Sequence, residues 1–138
     1  MHWMLMPLRR YADFSGRSRR REYWMFLVLN LLIAAVVWGL LAATFLAGMS
    51  ETAMTTVMTP VFALYALAVL GLVIPGLAVT IRRLHDTDRS GWNILLGAIP
   101  LVGAFLLLFF YCTEGTSGPN RFGPDPKASE GAGAAAFA

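Results

Sequence analysis

The sequence predicts an all-α membrane protein with about three transmembrane helices, one of them kinked or re-entrant, and a short N-terminal interfacial helix. Three observations lead to this fold class. Of 138 residues, 57% are hydrophobic and only 14% charged, whereas soluble domains carry about 25% charged residues. Three long apolar runs lack any charge. A chain this short could not bury so much apolar surface in water. We predict one membrane domain over residues 1–126 and a disordered Gly/Ala-rich tail over residues 127–138.

The first apolar run, Trp24 to Leu46, contains 23 residues without a charge. A helix needs about 20 apolar residues to cross a hydrocarbon core of roughly 30 Å, so this run spans it with some tilt. The run is longer than the ~7–15 residues of a signal-peptide core, and no small-x-small cleavage site ends it. We predict a retained helix capped by Ser18, after a short interfacial helix within residues 3–14.

The second apolar run, Val61 to Ile81, is interrupted by Pro75 and Gly76. Proline removes a backbone donor and clashes with the preceding turn, so a helix kinks or ends there. One possibility is a single kinked helix from about residue 56 to Ile81. The other is a span that ends near residue 74, followed by a short interfacial helix over residues 77–86. The unbroken apolar run favours the kinked helix.

The third apolar run, Trp92 to Tyr111, carries Gly97, Pro100 and Gly103 near its middle. One kinked span is the default prediction. The alternative is a re-entrant hairpin broken at Pro100, whose halves of about ten residues are each too short to cross the bilayer. The hairpin would return the C-terminus to the cytoplasm.

The distribution of basic residues predicts the orientation, because Lys and Arg concentrate in cytoplasmic segments. The segment between the first two runs, Ala47 to Pro60, contains no Lys or Arg. Three arginines lie between the second and third runs, and six precede the first: Arg9, Arg10, Arg17, Arg19, Arg20 and Arg21. We predict a cytoplasmic N-terminus, and, if the third run crosses once, a C-terminus outside the cytoplasm.

Two polar clusters flank the apolar runs on the predicted cytoplasmic side. Residues 14–24 (FSGRSRRREYW) either fix the topology or bind an acidic headgroup or partner. Residues 82–92 (RRLHDTDRSGW) form either a tight turn or a binding site. Arg82 and Asp86 are four residues apart and are expected to pair on a helix. Adjacent helical residues point about 100° apart, so His85 and Asp86 do not by themselves indicate a catalytic dyad. The candidate binding residues are Arg17, Arg20, Arg21, Glu22, Arg82, Arg83, His85, Asp86 and Arg89.

A third polar cluster, residues 115–126 (GTSGPNRFGPDP), is rich in turn-forming residues. Pro fixes φ, and Asn or Asp bonds the backbone just ahead, so we predict a compact loop packed on the membrane domain. The cluster lacks the Lys-Ser/Thr ending and following helix of a P-loop. Asn120, Arg121 and Asp125 complete the set of candidate lipid- or partner-binding residues.

Together the three clusters resemble the bacterial inner-membrane family catalogued as domain of unknown function 805. The matching patterns are F-x-G-R-x-x-R-x-E-Y-W, R-R-L-H-D-x-x-R-S-G-W and G-x-N-R-F-G-P-D-P, and the resemblance covers about residues 3–126. Asp88 departs from the pattern, since the family often has Gly there. The resemblance implies a multi-pass protein of the bacterial plasma membrane and brings no established activity.

Two function classes remain open. The first is a noncatalytic module that binds a partner protein or anionic lipid through an Arg-rich cytoplasmic face. The second is a small oligomeric transporter or channel subunit, although the apolar runs lack the ionisable groups that transport normally needs. A membrane enzyme ranks third, and we predict no catalytic residue, metal or cofactor. The expected partners are membrane lipids and either a membrane protein or further copies of the chain, with no nucleic acid. The single cysteine, Cys112, excludes an internal disulfide.

Overall fold

The computed structural model describes residues 2–128 and is helical. The helices are α1 (His2–Arg9), α2 (Arg20–Leu46), α3 (Glu51–Asp86), a 3₁₀ helix (Gly91–Ala98) and α4 (Val102–Cys112). No β-strand occurs within residues 2–128. Two helices, α2 with 27 residues and α3 with 36, are long and apolar enough to cross a membrane. The predicted all-α membrane fold is confirmed: the structure has two long apolar helices, a shorter apolar helix and a short N-terminal helix.

The apolar surfaces of α2 and α3 face outward. Only 11% of the most apolar window of α2 and 6% of that of α3 are buried inside the protein. Large side chains such as Leu31, Val36 and Leu64 are more than half exposed. A water-soluble protein would cover such side chains, whereas lipid is the solvent in which they are stable.

The helix α3 begins about five residues before its predicted start near residue 56, so the connection between α2 and α3 is short. The helix α3 begins at Glu51, where the Ser50 hydroxyl accepts a hydrogen bond from the Ala53 amide. Gly48, with φ +63°, makes the turn in the left-handed region. The predicted start was too late because a serine cap and an acidic first residue suffice to start the helix well before the apolar run.

The helix α3 continues through Pro75 to Asp86, so the prediction of one helix is confirmed and the short separate helix is not formed. Pro75 has no backbone N–H, and the carbonyl of Gly71, four residues earlier, therefore loses its helical partner. The Tyr11 hydroxyl donates a hydrogen bond to this carbonyl over 2.7 Å. The segment after α1 is thus joined to the middle of α3 at the proline site.

The third apolar run forms a hairpin, and the default prediction of a single span is wrong. The chain reverses at Pro100, Leu101 and Val102 in a γ-turn, with φ +61° at Leu101 and a 2.7 Å bond from the Val102 amide to the Pro100 carbonyl. A β-carbon on Gly103 would lie 1.7 Å from the Leu96 carbonyl oxygen. Glycine therefore allows the 3₁₀ helix and α4 to pack closely.

The hairpin determines where the C-terminal residues lie. The 11 residues of α4 extend roughly 16 Å, about half of a bilayer core. The chain therefore returns to the end of the α2–α3 pair from which the run started. Residues 113–128 contact the N-terminal segment there, contrary to the prediction that they lie at the opposite end. Most of the tail predicted to be disordered lies outside the described residues; Lys127 and Ala128 are in the described turn.

Candidate functional site

Three arginines and two carboxylates form a buried cluster where four parts of the chain meet: α2, α3, the N-terminal segment (residues 10–19) and the C-terminal loop (residues 113–128). We call this set the arginine core. Its members are almost inaccessible to solvent: Arg82 and Arg83 are 0% exposed and Glu22 3%. Charged groups are buried only when paired and hydrogen-bonded, because desolvation costs several kcal/mol per ion. The core consists of Arg17, Arg82, Arg83, Glu22 and Asp86.

Arg82 joins α3 to α2 and to the N-terminal segment. Its Nη2 lies 2.8 Å from Glu22 Oε1, and its Nη1 donates to the Asp13 carbonyl over 2.6 Å. The predicted pair of Arg82 and Asp86 is wrong. Arg82 faces α2, where Glu22 is available, while the Asp86 carboxylate pairs with Arg83 three residues earlier. Asp13 was not predicted as a site residue, because its backbone carbonyl takes part and no side-chain pattern reveals such a role.

Asp86 is held between two arginines. Arg17 Nε lies 3.0 Å from Oδ1, and Arg83 Nη1 donates to Oδ2. A β-carbon on Gly115 would lie only 2.0 Å from Oδ2. The C-terminal loop therefore passes directly over this carboxylate, and a glycine is required at the point of closest approach.

Arg17 and Arg83 also hold the C-terminal loop and the end of α4 by donating to backbone carbonyl oxygens. Arg17 donates to the carbonyls of Thr116, over 2.5 Å, and Gly118, over 2.6 Å. Arg83 donates to the carbonyls of Tyr111 and Thr113. The guanidinium group can make these bonds and an ion pair together because its five donors lie in a fixed plane.

The C-terminal loop is compact, as predicted. Asn120 and Gly123 pair through their backbones, and the side-chain Nδ2 of Asn120 donates to the His85 carbonyl over 2.9 Å. Arg121 pairs with Asp88 at 3.2 Å on the exposed side. These contacts give Asn120 and Arg121 a structural place, away from the cleft described below.

His85 fills the space between the loop and the N-terminal segment. Its ring stacks on Phe122 with 3.9 Å between centroids and 3° between planes. Its Nδ1 lies 3.1 Å from the Gly16 carbonyl, which only accepts, so Nδ1 carries the proton. Burial lowers the pKa of His85, and the positive charge of nearby Arg121 lowers it further. The hydrogen bond to Gly16 raises the pKa but does not outweigh these two effects. Because Arg17 and Arg83 occupy the Asp86 carboxylate, His85 and Asp86 form no dyad.

The prediction that Ser18 caps α2 is wrong. Arg19 is the capping residue and makes no side-chain capping bond. The Ser18 side chain is fully buried, and its backbone amide donates to the Arg82 carbonyl over 3.0 Å. This backbone bond holds Ser18 against the last turns of α3.

A basic cleft of about 610 Å³ opens beside the arginine core. We call it the basic cleft. Its lining includes five basic and two acidic side chains. Arg20 and Lys127 both contact the exposed Glu114 at the edge, at 3.2 and 2.6 Å. Arg21 makes no hydrogen bond or ion pair with any residue in 2–128. The charged lining residues are Arg17, Arg19, Arg20, Arg21, Lys127, Asp86 and Asp125.

Asp125 shapes the far side of the basic cleft. It accepts bonds from the Lys127 amide at 2.8 Å and the Gly118 amide at 3.1 Å. These two backbone bonds lower the pKa of Asp125. Arg19 and Lys127 also line the cleft but were not predicted, since neither lies at a specified position of a motif. Arg89, a predicted binding residue, does not line the cleft and instead places its guanidinium 3.8 Å from the ring centre of Phe110.

The charged side chains that line the basic cleft are mostly cationic. A group of Arg and Lys side chains around an open cavity suits phosphate or carboxylate oxygens, which guanidinium groups bind in a bidentate manner. Within residues 2–128, no group of three or more His, Cys, Asp or Glu side chains is placed to hold a metal ion.

Comparisons with known proteins agree with the three motifs. A family model described as "Protein of unknown function (DUF805)" matches residues 11–124. The Inner membrane protein YhaI of Escherichia coli K12 is 44% identical over 127 residues, covering 92% of this chain and 97% of the relative. The Inner membrane protein YhaH of the same strain is 42% identical over 127 residues, covering 92% and 98%. No solved structure gives a significant match. The chain therefore belongs to the DUF805 family, as its three motifs indicated.

Proposed function

We propose that the protein is a noncatalytic module of the bacterial inner membrane that binds the phosphate headgroup of an anionic lipid in the basic cleft. The observation that carries this proposal is Arg21. It lines the cleft, is exposed, and has no partner within residues 2–128. An unpaired guanidinium group beside further basic side chains offers its donors to an external anion.

The proposed orientation places both ends of the protein in the cytoplasm. The turn at residues 47–50 has no basic residue, whereas the opposite end of the helices carries the arginine core and the cleft. The positive-inside rule then favours the cytoplasm for that end. The hairpin brings residues 113–128 to the same side. The cleft would face the cytoplasmic leaflet, whose anionic lipids attract basic groups by about 1 kcal/mol per charge.

The arginine core itself does not contribute to this binding in the proposal. Arg82 and Arg83 are fully buried, and Arg17 is 6% exposed and already bonded to Asp86 and the loop. Their role is to hold the walls of the cleft in place. Binding therefore depends on the exposed arginines of the cleft.

Transport has less support than lipid binding. The cleft lies at the polar end of the helices, beside the membrane span and not along it. The run from Trp24 to Leu46 contains no ionisable side chain, and neither does the run from Val61 to Ile81 apart from Tyr65. Transport paths through a bilayer are usually marked by such groups.

The test measures retention of phosphatidylglycerol by purified protein in detergent for two matched substitutions. Arg21→Gln removes the unpaired guanidinium group from the cleft, and Arg9→Gln removes an exposed arginine from α1. Loss of charge-assisted hydrogen bonds worth about 1.5–3 kcal/mol predicts at least about tenfold weaker retention for Arg21→Gln. Arg9→Gln should lose less than about fivefold, the effect of one general surface charge.

Equal losses of phosphatidylglycerol retention in the two variants would contradict the proposal. They would show that retention comes from general attraction between basic residues and lipid, and not from the cleft. Capture of a protein with an acidic segment, lost in Arg21→Gln and unaffected by added phosphatidylglycerol, would also contradict it. That result would assign the cleft to a protein partner.

A further inference from the structure

A second depression adjoins the basic cleft on its membrane side. It has a volume of about 460 Å³ and is lined by Arg20, Arg21, Trp24, Met25 and Cys112. Trp24 and Met25 belong to α2, and Cys112 ends α4. The depression therefore lies between these two helices, at the end nearest the basic cleft, and we call the line of contact between the helices the seam. We call the depression the seam groove. Arg20 and Arg21 line both the cleft and the groove.

The seam groove continues as an apolar surface away from the arginines. On α2, Val28 and Leu32 follow Trp24 at helical spacing on the same face, in the direction away from the basic cleft. These side chains are 39% and 53% exposed. On α4, Leu108 and Phe105 precede Cys112 at helical spacing and so also lie further from the basic cleft. They are 47% and 72% exposed. The surface along the seam therefore begins with guanidinium groups at the cleft, continues with the indole ring of Trp24, and ends with aliphatic and aromatic side chains.

We propose that the cleft and the seam groove form one site for an amphiphile, with the phosphate at Arg21 and an acyl chain along the seam between α2 and α4. This inference rests on the proposed function and adds the location of the chain. A soluble anion would need only the cleft, and an apolar ligand only the groove. Their shared arginines indicate a molecule with a charged head joined to a hydrocarbon chain. Trp24 lies at the junction, where an indole ring suits the boundary between headgroup and chain.

Cys112 allows a direct test without any substitution, because it is exposed and is the single cysteine of the chain. The rate of its alkylation by a maleimide is measured in detergent with one of three added probes: phosphatidylglycerol, phosphatidylcholine or glycerol phosphate. A chain in the seam groove covers the thiol. Phosphatidylglycerol at about ten times its dissociation constant should slow alkylation roughly tenfold, since the free fraction falls as 1 + [L]/Kd.

The two other probes separate the possible ligands. Glycerol phosphate carries the anion without a chain and should leave the alkylation rate unchanged. Phosphatidylcholine carries the chains with a zwitterionic head and should protect much less than phosphatidylglycerol. Equal protection by both lipids would overturn the proposal, because it would show that chains enter the groove independently of the arginines. Protection by glycerol phosphate would overturn it by assigning the site to a soluble anion.

A pair of variants tests the groove itself. Met25→Trp enlarges a groove side chain and should weaken phosphatidylglycerol retention at least about fivefold, whereas Val36→Trp, at an exposed site further along α2, should not change it. Retention that depends on Arg21 but is unchanged by Met25→Trp, with unprotected Cys112, would overturn this inference and leave the proposed function intact. Retention independent of Arg21 would instead contradict the proposed function.

Discussion

Arg17 and Arg21 stand four residues apart in one basic run, yet the structure gives them opposite surroundings. Arg17 is buried, paired with Asp86 and bonded to the C-terminal loop. Arg21 is exposed and has no partner among residues 2–128. A charge count assigns both to the cytoplasmic side and cannot tell them apart. The comparison shows that one basic run contains both residues that hold the protein together and residues available for a ligand.

The largest effect is expected from Glu22→Gln, which leaves Arg82 as an uncompensated buried charge. Removing one member of a buried ion pair costs about 3–5 kcal/mol. We expect a fall of this size in the free energy of unfolding, measured by titration with dodecyl sulfate in mixed micelles. Glu114→Gln, which removes an exposed carboxylate, is the matched control and should have little effect. Similar stabilities for the two variants would show that the arginine core is not a stabilising cluster.

The next largest effect separates Arg17 from Arg21 directly. Arg17→Lys keeps the charge but cannot reach Asp86 and two loop carbonyls at once, because an ammonium group is a point donor. We expect a loss of about 2–3 kcal/mol and faster proteolysis within residues 113–126. Arg21→Lys should stay within about 0.5 kcal/mol of the native protein, as exposed substitutions usually do. If Arg17→Lys were equally neutral, the distinction between the two arginines would fail.

A smaller effect is expected from Gly115→Ala. The added methyl would lie 2.0 Å from Asp86 Oδ2, and that carboxylate is held by Arg17 and Arg83. Overpacking of this kind costs about 1–3 kcal/mol. Gly39→Ala, where nothing lies within 4 Å of the added atom, is the control and should be neutral or slightly stabilising. Equal melting temperatures for both variants would indicate that the loop does not pass over the carboxylate.

The smallest effect is a pH dependence from His85. Burial holds its folded-state pKa below the ordinary value of about 6.5, so the unfolded chain binds the proton more readily. The contribution of His85 to stability should therefore be constant above that value and fall as the pH decreases through it toward the folded-state pKa. Comparing melting temperatures across this range for native protein and His85→Gln isolates the contribution. A native curve that fell no more steeply than that of His85→Gln would contradict it.

The sequence was sufficient to predict the helical membrane fold and the compact C-terminal loop. Uncharged runs of 20 or more residues determine where helices can cross, and Gly-Pro-Asn and Gly-Pro-Asp determine local turns whatever surrounds them. The family resemblance was also visible in the three motifs. These features depend on local composition, which the sequence contains in full.

The pairing of charges and the path of the third run were not predictable in the same way. Arg82 has Asp86 at helical spacing, but its partner Glu22 lies 60 residues away. The third run is long enough to cross once, and the choice of a hairpin depends on the close approach of Gly103 to Leu96. Both outcomes are decided by tertiary contacts between segments that are distant in sequence. The arginine core explains the hairpin in turn, since Arg83 bonds the carbonyls that end α4.

The side of the membrane on which residue 117 lies tests the central claim most directly. Single cysteines are placed at the exposed positions Ala12, Met49 and Ser117 in a Cys112→Ser background. Spheroplasts, whose inner membrane is intact, are then treated with a membrane-impermeant maleimide. We expect labelling at Met49 alone, with Ala12 and Ser117 labelled only after the membrane is permeabilised. Labelling of Ser117 in intact spheroplasts, with Ala12 protected, would mean that the third run crosses the membrane and that the arginine core cannot assemble as described.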